Sequence, residues 1–308
     1  MRLNSTLLLC SLVALPASAA AHGGEPSASL SHVLLTGWTP DPATAVPIAI
    51  ATAWYALGVS RTVQENKLEA ISPNRVLAFV AGIGVLLIAL QSPIDTVSED
   101  LFSVHMCQHL LLMLAAPPLL VWSRPVLVWL WALPLAGRRR IGSFWNGTPA
   151  LHATHAFLMR PLVVWLLASA ALWLWHLPGP YDWALKNEAV HAIEHACFFL
   201  TSLAFWTLVA QPYSRRQAGH GIALIMVATF ALHNGLLGAL LTFSGTPLYG
   251  AYTETVFGLS PLEDQQLAGL IMWVPAGLAH LATLSLLFMG WLSEQEAYAG
   301  RTAAAGRE

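Results

Sequence analysis

Residues 92–125 read SPIDTVSEDLFSVHMCQHLLLMLAAPPLLVWSRP, an acidic stretch that leads into a long apolar segment. Near the start of that segment, His105 and His109 lie four residues apart. A helix of 3.6 residues per turn places two such side chains on one face, where both imidazoles can reach one ion. Ionisable residues within a membrane span mark functional sites by default. The pair therefore predicts either a metal site or hydrogen bonds to neighbouring helices.

The composition of the whole chain is that of a polytopic membrane protein. Only 10% of its 308 residues are charged and 56% are hydrophobic, whereas soluble domains have about a quarter charged residues. The mean hydropathy is +0.60. With a formal net charge of −2 and few basic residues, the chain lacks a nucleic-acid-binding surface. We therefore expect an all-α bundle in a lipid bilayer, with partners in the membrane or at its face.

The N-terminal region predicts a signal peptide over residues 1–21. A single arginine, a short apolar run and the small-residue site Ala17-Ser18-Ala19 follow the order of a cleaved leader. An uncleaved first helix is the alternative, although the apolar run is short for a span of about 20 residues. Residues 22–43 then predict a flexible segment on the translocated side.

Cleavage after Ala19 would create a second candidate metal site. The new terminus, Ala20-Ala21-His22, would offer an α-amine, two amide nitrogens and an imidazole. Such a square-planar set suits Cu(II) or Ni(II).

Seven apolar segments predict seven membrane-spanning helices, which form one domain over residues 44–291. They lie at about 44–60, 75–91, 101–122, 160–176, 189–210, 218–243 and 265–291. A further apolar segment at 126–136 has too few residues to cross a core of about 30 Å, so we expect an interfacial or re-entrant turn there. Residues 292–308 predict a cytoplasmic tail.

The basic residues predict the orientation of these spans. With the mature N-terminus outside, twelve of the thirteen Lys and Arg residues that follow the leader fall on the cytoplasmic side, and only Lys186 falls outside. The C-terminus is then cytoplasmic. Alkaline phosphatase fused after Glu308 should be inactive in whole cells, and periplasmic activity of that fusion would contradict the predicted topology.

Two helix starts are also predicted on the outer face. Ser98, followed by Glu99 and Asp100, has the pattern of an N-cap with acids in the first turn. Ser260-Pro261-Leu262-Glu263 has the pattern of a capping box with proline at the first helical position.

Histidines gather at one depth of the predicted bundle. The segment HAIEH places His191 and His195 four residues apart near the outer end of the fifth helix, with Glu194 beside them. His176 closes the fourth helix on the same face. Together with His105 and His109 these imidazoles form a set of borderline-soft ligands that suits Cu, Zn or Ni.

Other side chains are lesser candidates for the same site. Met113 continues the His105/His109 stripe, Glu194 is a ligand or orients an imidazole, and Cys107 and Cys197 each lie beside a histidine pair. His233 and His280 lie deeper and indicate either a second site or polar contacts between helices. An acidic mouth that attracts cations is predicted from Asp95, Glu99, Asp100, Glu263 and Asp264. We expect the site to be shallow, at the rim of the bundle.

Four segments carry a resemblance to a known family: residues 92–120, 191–200, 233–243 and 258–275. The most specific blocks within them are HMCQHL at 105–110 and SPLEDQQLAG at 260–269. The chain resembles the CtaG-like cytochrome c oxidase assembly factors, which are polytopic bacterial membrane proteins. Cys107 departs from the usually aliphatic residue at its position, and it points away from the His105/His109 face.

The resemblance implies a non-enzymatic role in maturing a haem-copper oxidase in the bacterial plasma (inner) membrane. It implies that copper, as Cu(I), is supplied to the oxidase from the outer side. The partners implied are the oxidase subunits and periplasmic copper carriers.

Two other functions compete with this one. A copper permease would use the same ligands. A haem-b electron carrier needs axial histidines on facing helices, and the spacing of His220 and His233 suits two stacked haems, but no second helix shows a matching pair. Histidines four apart would also lie on the same side of one iron, so haem is not expected. The HExxH pattern of metallohydrolases is absent from the sequence.

Overall fold

The computed structural model describes residues 33, 36–38, 40–65, 71–210 and 219–305. The predicted signal peptide, His22 and most of the predicted N-terminal segment lie outside the described residues.

Every regular element in the described ranges is helical, apart from one isolated bridge between Val256 and Leu259. In chain order the helices are α1 (Pro42–Gln64), α2 (Pro73–Gln91), α3 (Pro93–Ser98), α4 (Phe102–Leu110), a π-helical segment (Leu111–Ala115), α5 (Ala116–Ser123), α6 (Pro125–Trp131), α7 (Leu135–Asn146), α8 (Pro149–Leu158), α9 (Pro161–Trp175), α10 (Pro178–Lys186), α11 (Glu188–Ala210), α12 (His220–Thr242) and α13 (Pro261–Ala305).

The predicted all-α membrane bundle is confirmed. Six elements of the described chain are long and apolar enough to cross a membrane: α1, α2, the continuous segment Phe102–Ser123, α11, α12 and the Pro261–Glu296 part of α13. Helices α8 and α9 meet at 62° and together provide a seventh span if they are counted as one. The sequence did not predict α8, and it placed the end of α13 at residue 291, whereas the helix continues to Ala305.

Helix α6 lies against α1 instead of crossing the membrane. Its seven residues cover roughly 10 Å at 1.5 Å per residue, which is too short for a span. The indole of Trp129 donates to the Ala51 carbonyl at 3.1 Å, and that of Trp54 donates to the Trp129 carbonyl at 3.1 Å. A Cβ at Gly58 would approach the Val128 carbonyl oxygen to 2.1 Å, so the contact between α1 and α6 requires glycine there.

Helices α12 and α13 also pack closely against each other. A Cβ built on Gly269 would lie 2.6 Å from the carbonyl oxygen of Gly238, and one built on Gly238 would lie 2.8 Å from that of Gly269. Small residues of this kind allow membrane helices to pack backbone against backbone. The contact fixes the start of α13, which carries Glu263 and Asp264.

The first residues of α4 are capped in a way that differs from the prediction. Ser98 ends α3, and its hydroxyl donates to the Asp95 carbonyl at 2.7 Å. The amides of Phe102 and Ser103 donate instead to the carboxylate of Asp264, at 2.6 and 3.0 Å. The predicted N-cap at Ser98 is therefore wrong, because a carboxylate from α13 takes that role.

The capping box at the start of α13 is confirmed. The Ser260 amide donates to the Glu263 carboxylate at 2.9 Å, and the Glu263 amide donates to the Ser260 hydroxyl at 3.4 Å. The same end of the bundle contains the end of α9 and the starts of α4, α11 and α13. We call it the histidine end, because His105, His109, His176, His191 and His195 lie there.

Candidate metal centre

Two helices bring four imidazoles and a carboxylate together at the histidine end. Helix α4 carries His105 and His109, whose Nε2 atoms lie 2.9 Å apart. Helix α11 carries His191 and His195, whose ring centroids lie 4.1 Å apart, and Glu194 between them in sequence. We call these five residues the imidazole cluster.

The two histidine pairs face each other across the helix interface. The ring centroid of His105 lies 5.2 Å from that of His191 and 5.9 Å from that of His195. The ring centroids of His109 and His195 lie 5.4 Å apart. Two triads have ligand atoms within 4.8 Å of one another: His105/His109/His195 and His105/His191/Glu194. The helical spacing of each pair thus produces the convergence that the sequence predicted.

Four of the five residues of the cluster are buried, His191 is half-buried, and several of their polar atoms lack a hydrogen-bond partner in the described part of the chain. His105 and Glu194 are 0% exposed, and His109 and His195 are also buried. Among the described residues no hydrogen-bond partner exists for His109 Nδ1, His191 Nε2, His195 Nε2 or either carboxylate oxygen of Glu194. Each unpaired buried polar group costs about 1–3 kcal/mol. A bound cation would offset several of these costs at once.

The separation between His105 and His109 suits a shared metal ion. With metal–nitrogen bonds of about 2.0 Å, as for zinc, a 2.9 Å separation of the two Nε2 atoms corresponds to an N–metal–N angle of roughly 90°. Only small adjustments would be needed for tetrahedral coordination.

Four aromatic rings cover the cluster. Phe102, Tyr181, Tyr249 and Tyr252 are all buried and contact one another, with Tyr181 and Tyr249 centroids 4.4 Å apart. We call these four residues the tyrosine cover. The Tyr249 hydroxyl donates to the His176 carbonyl at 2.9 Å, which ties the segment between α12 and α13 to the end of α9. The predicted shallow site at the rim is therefore wrong, because this segment folds over the histidines.

The tyrosine cover also orients His105. The Tyr252 hydroxyl donates to the Ser98 carbonyl at 3.0 Å, and burial raises the pKa of Tyr252 well above its usual value, so the hydroxyl keeps its proton. Its oxygen is then an acceptor for His105 Nδ1, 3.4 Å away. A proton on Nδ1 leaves Nε2 as the lone-pair nitrogen directed toward His109.

Met113 lies within the π-helical segment and is buried. Met113 packs in the apolar core with Phe205 and Trp206, and its carbonyl accepts a hydrogen bond from the Trp206 indole at 2.9 Å. Met106 is the methionine that meets a histidine: its Sδ lies 3.4 Å from His176 Nε2.

The five residues of the predicted acidic mouth differ in their exposure and contacts. Asp264 is 2% exposed and caps α4, so its inclusion in a solvated mouth is wrong. Asp95 is half-buried and accepts a hydrogen bond from Gln108 Nε2 at 2.6 Å, and burial raises its pKa to about 6. Glu99, Asp100 and Glu263 are exposed at the histidine end.

The remaining candidates lie apart from the imidazole cluster. Cys107 and Cys197 are half-buried free cysteines outside both triads. His233 contacts the Ser169 hydroxyl at 3.0 Å and accepts from the Trp173 indole at 3.3 Å, which is the polar contact between helices that the sequence offered as one alternative. His280 is buried, and neither ring nitrogen has a hydrogen-bond partner in the described part of the chain.

Three curated relatives align with most of the length of this chain. The uncharacterized protein Mb0105 of Mycobacterium bovis and the uncharacterized protein MT0111 of Mycobacterium tuberculosis are each 25% identical over 276 residues, which cover 87% of this chain and 41% of each relative. The uncharacterized protein ML1998 of Mycobacterium leprae is 24% identical over 265 residues, which cover 84% of this chain and 40% of the relative. The chain thus spans about two fifths of the length of these relatives. No solved structure matches it significantly.

A family model described as cytochrome c oxidase caa3 assembly factor matches residues 53–294. The match includes the imidazole cluster, the tyrosine cover and Asp264. It covers most of the 308 residues and all of the candidate membrane spans except the start of the first and the last residues of the Pro261–Glu296 span. The chain therefore belongs to the cytochrome c oxidase caa3 assembly factor family.

Proposed function

We propose that this protein binds copper in the imidazole cluster and delivers it to a cytochrome c oxidase during assembly. The family provides the oxidase as the partner and suggests a non-catalytic role. The observation that supports the copper step is the convergence of His105, His109, His191, His195 and Glu194, several of whose nitrogen and oxygen atoms lack a hydrogen-bond partner among the described residues. Copper is the cargo in this proposal.

The donor set favours a transition metal over a hard cation. Imidazoles suit Zn, Cu, Fe and Ni, whereas Mg²⁺ and Ca²⁺ prefer oxygen ligands. Copper stands highest among the divalent first-row metals in affinity for such sites. An oxidase that contains copper needs that metal as cargo, so the ligands and the recipient support the same ion.

The geometry supports a bare ion in preference to haem. Two axial imidazoles must lie on opposite faces of a porphyrin. The Nε2 atoms of His105 and His109 are only 2.9 Å apart and come from one helix, so no macrocycle fits between them.

We further propose that the histidine end faces the outside of a bacterial plasma membrane. The positive-inside rule places the Lys- and Arg-rich loops at the opposite end of the bundle. The exposed acids Glu99, Asp100 and Glu263 would then attract cations from the outer side.

Removing all four imidazoles should abolish high-affinity copper binding. For the variant His105→Ala/His109→Ala/His191→Ala/His195→Ala we expect at least a hundredfold weaker Cu(I) binding than wild type, because several ligands are lost together. Competition with a Cu(I) chelator in detergent, under anaerobic conditions, measures this affinity.

Circular dichroism of the same sample is the control that the helices persist. The variant Met226→Leu, which changes a buried side chain of the apolar core, should bind Cu(I) like the wild type. A folded quadruple variant that retains wild-type affinity would show that copper binds elsewhere or not at all. A Soret band in the purified wild-type protein would instead favour the haem carrier.

A further inference from the structure

A buried methionine and histidine meet beside the imidazole cluster. Met106 comes from α4 and is 0% exposed, and His176 follows the last residue of α9 and is 5% exposed. Their closest atoms, Met106 Sδ and His176 Nε2, lie 3.4 Å apart. His176 belongs to neither of the two triads that define the cluster.

The proton of His176 can be assigned from its other contact. Nδ1 lies 2.7 Å from the carbonyl oxygen of Leu172, which only accepts hydrogen bonds, so Nδ1 carries the proton. In a neutral imidazole Nε2 then holds a lone pair. A doubly protonated ring would be a buried cation, and no carboxylate within the described residues forms an ion pair with His176.

Two acceptor atoms therefore face each other without a proton between them. A thioether sulfur has lone pairs and no hydrogen to donate. The Nε2 of His176 likewise has a lone pair and no hydrogen. Packing of methionine against aromatic rings is common in cores, but it leaves the buried imidazole nitrogen unpaired. A cation that binds both lone pairs would satisfy this nitrogen.

We propose that Met106 and His176 form a second copper position, selective for Cu(I), beside the imidazole cluster. This proposal rests on the proposed function and adds a separate site to it. Thioether sulfur is a soft ligand that selects Cu(I). With bonds of about 2.0 Å to nitrogen and about 2.3 Å to sulfur, the 3.4 Å separation corresponds to an N–metal–S angle of roughly 100°. That angle suits trigonal or tetrahedral coordination.

His109 connects the second position to the cluster. Its ring centroid lies 5.9 Å from that of His176 and 5.4 Å from that of His195, and its Nδ1 has no partner in the described chain. One histidine thus borders both positions. Cu(I) can pass between them by exchanging ligands around His109, with no change of oxidation state and no group transferred.

The test uses the full-length protein in detergent, loaded with Cu(I) under anaerobic conditions. X-ray absorption of the wild type should show a sulfur ligand at about 2.3 Å together with nitrogen ligands. The variant Met106→Leu, which conserves side-chain volume, should lose the sulfur ligand and one bound Cu(I), while its nitrogen ligands remain. Met226→Leu, also a buried methionine, should retain both.

Zn(II) provides the control for the fold and for the cluster, because it binds imidazoles but not thioethers. Met106→Leu should bind as much Zn(II) as the wild type. A wild-type spectrum with nitrogen ligands only, or a sulfur ligand that persists in Met106→Leu, would overturn the second position and leave the imidazole cluster intact. Copper absent from the wild type would overturn both proposals.

Discussion

Replacing His105 and His109 together by alanine should reduce cytochrome c oxidase activity to the level of a strain that lacks the protein, at normal copper supply. Both side chains belong to one triad of the imidazole cluster, and His105 is shared by the second triad. Without them neither triad can hold an ion, so the oxidase polypeptides would be made but would lack copper. Oxidase activity in membranes of the complemented deletion strain measures this effect.

Cys107→Ala is the matched control for this double variant. Cys107 lies on the same helix, between the two histidines in sequence, but it is half-buried and outside both triads. We expect it to support normal activity. Raised copper in the medium should partly restore activity to the double variant, since copper can then enter the oxidase without this protein. Full activity of the double variant under copper limitation would mean that the histidines are structural.

Replacing Asp264 by alanine should destabilise the protein more than any other single change near the site. Its buried carboxylate accepts hydrogen bonds from the amides of Phe102 and Ser103. Hydrogen bonds to charged groups contribute about 1.5–3 kcal/mol each, so we expect the loss of two to cost roughly 3–6 kcal/mol. The first turn of α4 would fray, and His105 lies in that turn. The midpoint of thermal unfolding in detergent, with and without copper, measures the change.

Glu263→Ala is the comparison for that experiment. Glu263 is the exposed partner in the capping box with Ser260, so its loss should lower the midpoint far less. Asp264→Asn keeps one acceptor oxygen and should fall between the two. If Asp264→Ala and Glu263→Ala unfold at the same temperature, the cap on α4 contributes little to stability.

The parts of this structure that could be predicted from sequence are those set by local periodicity. Long apolar runs predicted most of the spans within a few residues, because a helix that crosses lipid needs about 20 such residues. The i, i+4 spacing gave the pairs His105/His109 and His191/His195, because helical geometry alone fixes their common face. The sequence blocks that resemble the assembly-factor family then connected the chain with a known class of protein.

The parts that could not be predicted depend on contacts between distant residues. Asp264 caps a helix that begins 162 residues earlier in the chain, and an acidic residue at the start of α13 reads equally well as a solvated charge. Met106 meets His176 only because α4 and the end of α9 are adjacent. The π-helical segment, which contains Met113, has no marker in the apolar run LLMLA.

The tyrosine cover could have been anticipated in part. Tyr249 and Tyr252 lie three residues apart in the segment between α12 and α13, and a tyrosine placed near a membrane surface needs a partner for its hydroxyl. The sequence does not show that those partners are the backbone carbonyls of Ser98 and His176.

The tyrosine cover has a kinetic consequence. An ion that enters or leaves the imidazole cluster on this side must displace a layer of buried rings joined by the Tyr181–Tyr252 hydrogen bond of 3.0 Å. Residence time is then set by the opening of that layer and not by ligand affinity alone. A site of moderate affinity can hold its ion for long periods, shielded from water and oxygen. A recipient that opens the layer by binding to it would control when release occurs.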